Sequence, residues 1–407
     1  MLDLAAKASA ASVDGYNNFG KVNRHMNKLK VAIFGTGFMG RVHTEGLRRL
    51  SNIEVVGVAG RTLETTQKFA NELGIEQATS DYKELLAEPE IRAVHICTPN
   101  SLHFPMAKAA LEAGKHVLCE KPLASSIAEA EAMVALAAEK KLANCTLYNI
   151  RSYPQVQNMR RMREAGDFGD VYAVHGTYSQ DWLLYDTDWN WRIESGPSRT
   201  FADIGTHWCD LVEHVTGLRI GSLCADLQTF HKLRKKPKGS VETFAGKMLQ
   251  SNGHSEVAVT TEDFGAMIFR MGESTRGALT VSQISAGRKN RLSVEICGSK
   301  AAAAWNAERP DELWIGHRNS PNEIIVKDPI LLRGDARSYA DLPGGHSEGY
   351  DDTFKQVFRR FYRTVADRSA LVEYPTFEDG IRQMRILDAV VESSKNSAWT
   401  PVENGPT

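Results

Sequence analysis

From Val31 onward the chain alternates between short apolar runs and segments with helical spacing. VAIF (Val31–Phe34) is a strand candidate, and the RVHTEGLRRL run that follows places Val42, Leu47 and Leu50 on one helical face. IEVVGVAG (Ile53–Gly60) is nearly all apolar, the pattern of a strand covered on both sides. Helices are predicted over Thr62–Leu73 and Asp81–Leu86. Then come strand Ala93–Asn100, helix Leu102–Ala113, strand His116–Pro122, helix Ile127–Lys140 and strand Leu142–Asn149. Strands that alternate with helices predict a parallel, doubly wound sheet.

Beyond Gly217 the period changes to two. Strands are predicted at Glu256–Thr261, Phe264–Arg270, Arg276–Ser285, Arg291–Gly298, Asp311–His317 and Glu323–Asp328. They make one broad, largely antiparallel sheet. Few helices remain to cover it, so one face is free for a homodimer or homotetramer contact. Two helices end the chain. One carries a stripe of Phe354, Val357, Phe358, Phe361 and Val365; the other, capped by Thr376, carries Phe377, Ile381, Met384, Leu387 and Val391. The loop Leu342–Asp352, with glycines around His346, either closes over a pocket or is a surface connection.

The expected fold class is therefore α/β: a Rossmann-type domain over 28–150, then an α+β domain over 151–407 with a large open sheet. Residues 1–27 are small and polar and are expected to be a flexible arm. A net charge of −1 argues against a nucleic-acid partner, and the basic run Leu233–Gly239 reads as a solvated loop. Six cysteines without a C-x-x-C pair point to free thiols in a reducing, cytoplasmic setting. No apolar run approaches membrane-span length.

Candidate chemistry begins after the first strand, where Gly35, Gly37 and Gly40 have G-x-G-x-x-G spacing with Thr36, Phe38 and Met39 between them. Gly35 permits the tight turn, Gly37 lets backbone approach a pyrophosphate, and Gly40 lets the helix pack on the strand. The helix N-terminus then offers free N–H donors to phosphate. An acid at the end of the second strand would favour NAD. The chain has Gly60, Arg61 and Thr62 there, and a guanidinium leans the expected NAD(P) cofactor toward NADP.

Three further stretches, TPNSLHFPMAKAAL (Thr98–Leu111), CEKPL (Cys119–Leu123) and FADIGTHWCDL (Phe201–Leu211), follow in order. With the glycine turn they resemble the glucose-fructose oxidoreductase/inositol dehydrogenase/MocA family of NAD(P)-dependent oxidoreductases, which act mostly on sugars and polyols. The resemblance implies that Lys121 lies beside the nicotinamide and that Asp203 and His207 face it from the second domain. It also implies a cofactor pocket shaped by Thr98, Pro99, Asn100, His103, Glu120, Pro122 and Asn149. Many members have a glycine pair or triplet before the third motif; here GPSRT (Gly196–Thr200) stands in that place and alters the loop.

Read as chemistry, these residues suit oxidation of a secondary alcohol. His207 is the general acid/base, Lys121 polarises the reacting oxygen and shares the proton relay, and Asp203 orients His207 or a substrate hydroxyl. Asp203, His207, Asp210 and His214 recur at helical spacing, but four ligands on one straight helix cannot surround a tetrahedral ion, so no metal is expected. In QDWLLYDTDWNWR (Gln180–Arg192), Trp182, Tyr185 and Arg192 are candidate contacts to a sugar ring. The reading from a different class is a non-catalytic NAD(P)-binding sensor, which has no need of the Lys121/Asp203/His207 set.

Overall fold

The computed structural model describes residues 28–238 and 253–403. The arm and part of the basic run read above lie outside the described residues. The first unit runs β1 (Leu29–Phe34), α1 (Phe38–Arg48), β2 (Ile53–Ala59), α2 (Leu63–Leu73), β3 (Gln77–Thr79), α3 (Tyr82–Ala87), β4 (Ile91–Ile96), α4 (His103–Glu112), β5 (His116–Cys119), α5 (Ile127–Glu139) and β6 (Asn144–Thr146). All six strands are parallel, in the order β3-β2-β1-β4-β5-β6. The reversal of strand order at β1 and β4 opens a crevice at their carboxyl ends, where such sheets bind ligands. Helix boundaries follow local chemistry. Thr62 caps α2 by accepting from the Thr65 N–H, and Gly74 ends it at φ +56.

The second unit comprises α6 (Pro154–Glu164), β7 (Val171–Ser179), α7 (Thr206–Thr216), β8 (Ile220–Gln228), β9 (Leu233–Pro237), β10 (His254–Ala258), β11 (Phe264–Met271), β12 (Thr275–Ser282), β13 (Arg291–Gly298), β14 (Ala302–Asn306), β15 (Glu312–Gly316) and β16 (Glu323–Val326). It ends with α8 (Tyr350–Ala366), α9 (Phe377–Asn396) and β17 (Thr400–Pro401). Nine of these strands form one mixed sheet, ordered β16-β15-β14-β13-β7-β12-β11-β8-β17. Its central pair, β7 with β12, is parallel, and the other pairings are antiparallel. Helix α7 lies on one face, with Trp208, Leu211, Val212 and Val215 buried against Phe269, Leu292 and Val294.

One expectation needs correction, and two others are made definite. The basic run is a strand, not a solvated loop: β9 pairs with β10, Arg234 is buried beside Asp263, and Lys235 and Lys236 pair with Asp186 and Glu194. Only Arg234 is buried; the Lys235 and Lys236 side chains keep their ammonium groups at the surface. The last two helices pack on the first unit as well, α9 while covering β8 with Ile386, Ala389 and Val390. Phe354, Val357, Phe358, Phe361 and Val365 of α8 pack with Val31, Ile33 and Leu47, while Phe377, Ile381 and Met384 of α9 join Leu123 and Met133. The loop before α8 is a surface connection. Buried Lys327 pairs with Glu348 at 2.8 Å and takes the His346 carbonyl, leaving the His346 side chain exposed.

Candidate active site

The glycine turn is built as the spacing requires. Gly35 sits at φ +113, and a Cβ there would lie 2.5 Å from the Cys97 carbonyl oxygen. A Cβ on Gly40 would lie 2.1 Å from the Gly35 oxygen, so helix and strand close only over glycine. Gly37 has open space around its missing Cβ. A groove of about 560 Å³ runs past this turn, lined by Gly35, Thr36, Gly37, Phe38, Met39, Arg61, Thr98, Pro99, Asn100, Glu120, Lys121, Trp191 and Arg192. The bare backbone at Gly37, the N-terminus of α1 and an apolar slot together fit a dinucleotide.

A second cavity of about 310 Å³ opens from the far side of Lys121. Its walls include Tyr178, Gln180, Trp182, Asp203, His207, Lys289, Asn290 and Tyr350. Phe38, Met39, Glu120, Lys121 and Arg192 line both spaces, so these five residues mark the junction between them.

Lys121 follows β5 and precedes a cis peptide to Pro122. Buried His103 braces this turn: its Nδ1 lies 2.7 Å from the Pro122 carbonyl oxygen and its Nε2 3.0 Å from that of Thr98. Lys121 Nζ donates to the Asp203 carboxylate at 2.9 Å and to the Asp203 carbonyl at 2.7 Å. Asp203 stands in a single π turn, Phe201–Gly205, that leads into α7. Its second oxygen accepts from Gln283 Nε2 at 2.8 Å, and Arg192 Nε lies 3.2 Å from the first. Burial pushes the Asp203 carboxyl up, but Lys121 and Arg192 outweigh it and hold the group well below the usual carboxylate range.

His207 opens onto the same cavity, edge-on to the Tyr148 ring at 5.4 Å. Burial, with Lys121 second, pushes its imidazole down to about 3, so the ring is neutral near pH 7. Its Nδ1 is buried and has no hydrogen-bond partner among the described residues. An unpaired buried nitrogen is costly unless a ligand hydroxyl satisfies it.

Most of the sequence-predicted residues line the two cavities, Asp203 among them, and three details differ from expectation. Asp203 holds Lys121, not His207, because its oxygens are taken by Lys121, Arg192 and Gln283. Tyr185 lies outside both cavities at 53% exposure, in a turn whose carbonyl accepts from Arg234. Asn149 lines the second cavity and donates to Thr353 at 2.7 Å, away from the cofactor groove. His103 and Gly40 act from beneath the groove, while Trp182 and Arg192 reach the second cavity. Asp210 is spent on Arg151, and His214 sits between Gln157 and Arg160. Residues the sequence did not single out are Tyr178, Gln180, Gln283, Lys289, Asn290 and Tyr350; pairing of β7 with β12 and β13 brings most of them together.

A model of the oxidoreductase family's NAD-binding Rossmann fold matches residues 29–148, and a model of the GFO/IDH/MocA C-terminal domain matches 156–304. The chain is 28% identical to levoglucosan dehydrogenase of Pseudarthrobacter phenanthrenivorans over 400 residues, 93% of this chain and 99% of that protein. It is 32% identical over 384 residues to an uncharacterized oxidoreductase of Synechocystis sp., 92% of this chain and 96% of that one. A solved structure of levoglucosan dehydrogenase with NADH and levoglucosan matches at a TM-score of 0.82 and 27% identity, over 93% of this chain and 100% of that one. With the glycine turn, the Lys121 turn and the Asp203/His207 helix in place, this chain belongs to the GFO/IDH/MocA family and is an NAD-binding oxidoreductase.

Proposed function

We propose that the protein oxidises a secondary alcohol of a neutral sugar or cyclic polyol, or reduces the corresponding ketone, in the cavity beyond Lys121. The observation that carries this reading is the convergence of Lys121, Asp203 and His207 where the two cavities meet. When bound, the nicotinamide supplies the hydride acceptor. The Lys121 ammonium, oriented by Asp203, donates to the carbinol oxygen and stabilises negative charge developing there. Neutral His207 takes the hydroxyl proton at a free ring nitrogen, and the carbinol becomes a ketone as its hydrogen leaves with the bonding pair. Trp182 and Tyr178 offer ring surface to C–H groups, and Gln180 and Asn290 border the same space with amides. The similarity to levoglucosan dehydrogenase, named for the sugar it acts on, supports this class.

Arg61 lines the groove, and the sequence has no acid from the end of the second strand until Glu64, which supports a preference for NADP(H) within the NAD(P)H class. Paired titration with both cofactors, followed by a panel of neutral and phosphorylated sugars and inositols, tests both points by nicotinamide absorbance. Turnover of neutral rings with tighter NADP binding is expected. Much tighter NAD binding overturns the role given to Arg61, and clear cofactor binding without turnover across the panel favours the sensor.

The face of the nine-stranded sheet opposite α7 supports a homodimer or homotetramer, and six free cysteines support a cytoplasmic setting. Trp314 and Ile324 are cross-strand neighbours there, with Ile324 59% exposed. Trp314→Asp is expected to yield a monomer in light scattering; an unchanged wild-type oligomer, or a monomeric wild type, contradicts this interface.

A further inference from the structure

Behind Glu120 lies a buried polar chain that the chemistry above does not use. Glu120 follows β5 and lines both cavities. Its Oε1 lies 3.2 Å from Nε2 of His43 in α1, and its Oε2 accepts the Lys121 backbone N–H at 3.2 Å. His43 Nδ1 is 2.9 Å from Nδ1 of His95 in β4, and His95 Nε2 is 2.8 Å from the hydroxyl of Tyr362 in α8. Both imidazoles are fully buried, and Tyr362 is 1% exposed. Phe354 and Phe358 wall the pair with aromatic edges.

Hydrogen-bond bookkeeping leaves one consistent arrangement for neutral rings. A carboxylate only accepts, so His43 Nε2 carries its proton and His43 Nδ1 is bare. His95 Nδ1 must then donate, which leaves His95 Nε2 as acceptor for the phenol of Tyr362. Burial, with His43 second, holds His95 well below its usual range, and burial also keeps the Tyr362 phenol protonated. The chain ends in the core, so it sets orientation and does not conduct protons to solvent.

We propose that the Tyr362 hydroxyl, by donating to His95 Nε2, completes the tautomer order that the Glu120 carboxylate imposes on His43 and His95, and so holds the His43 N–H on that carboxylate at the junction of the two cavities. There the fixed negative charge favours the oxidised, positively charged nicotinamide over the reduced one. The charge effect rests on the reading that the nicotinamide lies at this junction; the tautomer order does not. Tyr362, His95 and His43 are positioning residues acting through Glu120. Without the hydroxyl, His95 Nε2 becomes a buried acceptor with no donor, and the His95–His43 pair shifts to relieve it, which loosens the N–H on the carboxylate.

Dissociation constants of the oxidised and reduced cofactor, measured for wild type, Tyr362→Phe, Glu120→Gln and the double variant, test the coupling without turnover. Tyr362→Phe is expected to weaken the oxidised form about tenfold and leave the reduced form within about twofold; in the Glu120→Gln background it changes neither ratio. Equal weakening of both forms, or the same effect with Glu120→Gln, overturns the proposal. Nitrogen-15 NMR of histidine-labelled wild type without cofactor reads the tautomers directly and needs no variant. A protonated Nε2 and bare Nδ1 on His43 are expected. The opposite tautomer, or an imidazolium, overturns the order. Correct tautomers with no asymmetry in binding would instead locate the failure in the position assumed for the nicotinamide, and overturn the charge effect alone.

Discussion

Lys121→Ala is expected to lower kcat by about 10³-fold while the dissociation constant of the cofactor changes less than about threefold. The ammonium is a charged donor at the cavity junction, and its contacts run to Asp203 of the second unit. Removing it deletes stabilisation of the developing alkoxide. It also leaves Asp203 to Arg192 and Gln283, which keep that carboxylate bonded. The groove at Gly35, Gly37 and Thr98 is untouched by the change, so binding survives. Steady-state kinetics beside a fluorescence titration of the cofactor check both halves; kcat within about tenfold of wild type contradicts the assignment.

The second large effect is on stability. Asp263 is fully buried between Arg199 and Arg234, both also buried, and accepts the backbone N–H groups of Phe230 and His231. Arg234 in turn donates to the carbonyls of Leu183, Tyr185 and Asp188, which fixes the segment that carries Trp182. Asp263→Asn strands two guanidiniums without a counter-charge and is expected to cost about 3–5 kcal/mol in urea unfolding. A loss below about 1 kcal/mol contradicts the account. The same variant is expected to raise KM for the substrate more than it weakens cofactor binding, since Trp182 borders only the second cavity.

The pH dependence follows with its sign. Burial pushes the Asp263 carboxyl up, but the His231 N–H and the arginines outweigh it and hold the net value below the ordinary one. A depressed carboxyl contributes stability above the unfolded-state pKa of about 3.9, and that contribution is lost as pH falls through the folded value. His207 acts in the same direction from a higher pH. Its folded value of about 3 lies below the unfolded one, so its contribution is full above pH ~6.5 and fades as acid is added.

The first unit was readable because its central strands are buried on both faces and so appear as unbroken apolar runs. Strand β3 was not, since three residues, Gln77–Thr79, at a sheet edge carry no period. β7 and β8 were also missed. VYAVHGTYS and IGSLCADLQ mix polar and apolar residues because one face is covered by helices and the other is open, and their registers are set by partners far along the chain. The basic run misled for an electrostatic reason. Arg234 looks solvated until Asp263, remote in sequence, arrives beside it.

At the site, Lys121, Asp203 and His207 were legible because each sits in a short local pattern. Gln283 and Asn290 were not, because only strand pairing brings β12 and β13 to the cavity. His43 and His95 are single polar residues within the buried faces of α1 and β4 and carry no pattern of their own. Their purpose appears only when α1, β4 and α8 meet.

The central claim is that a carbinol hydrogen of a neutral ring passes to the nicotinamide where Lys121, Asp203 and His207 converge. The direct measurement is isotope transfer from a ring deuterated at its carbinol carbons to oxidised cofactor, read by mass spectrometry of the recovered cofactor. Deuterium is expected in the reduced cofactor with wild type, and about 10³-fold more slowly with Lys121→Ala loaded with cofactor to the same extent. Saturated wild type that transfers no deuterium from any neutral sugar or inositol would contradict it.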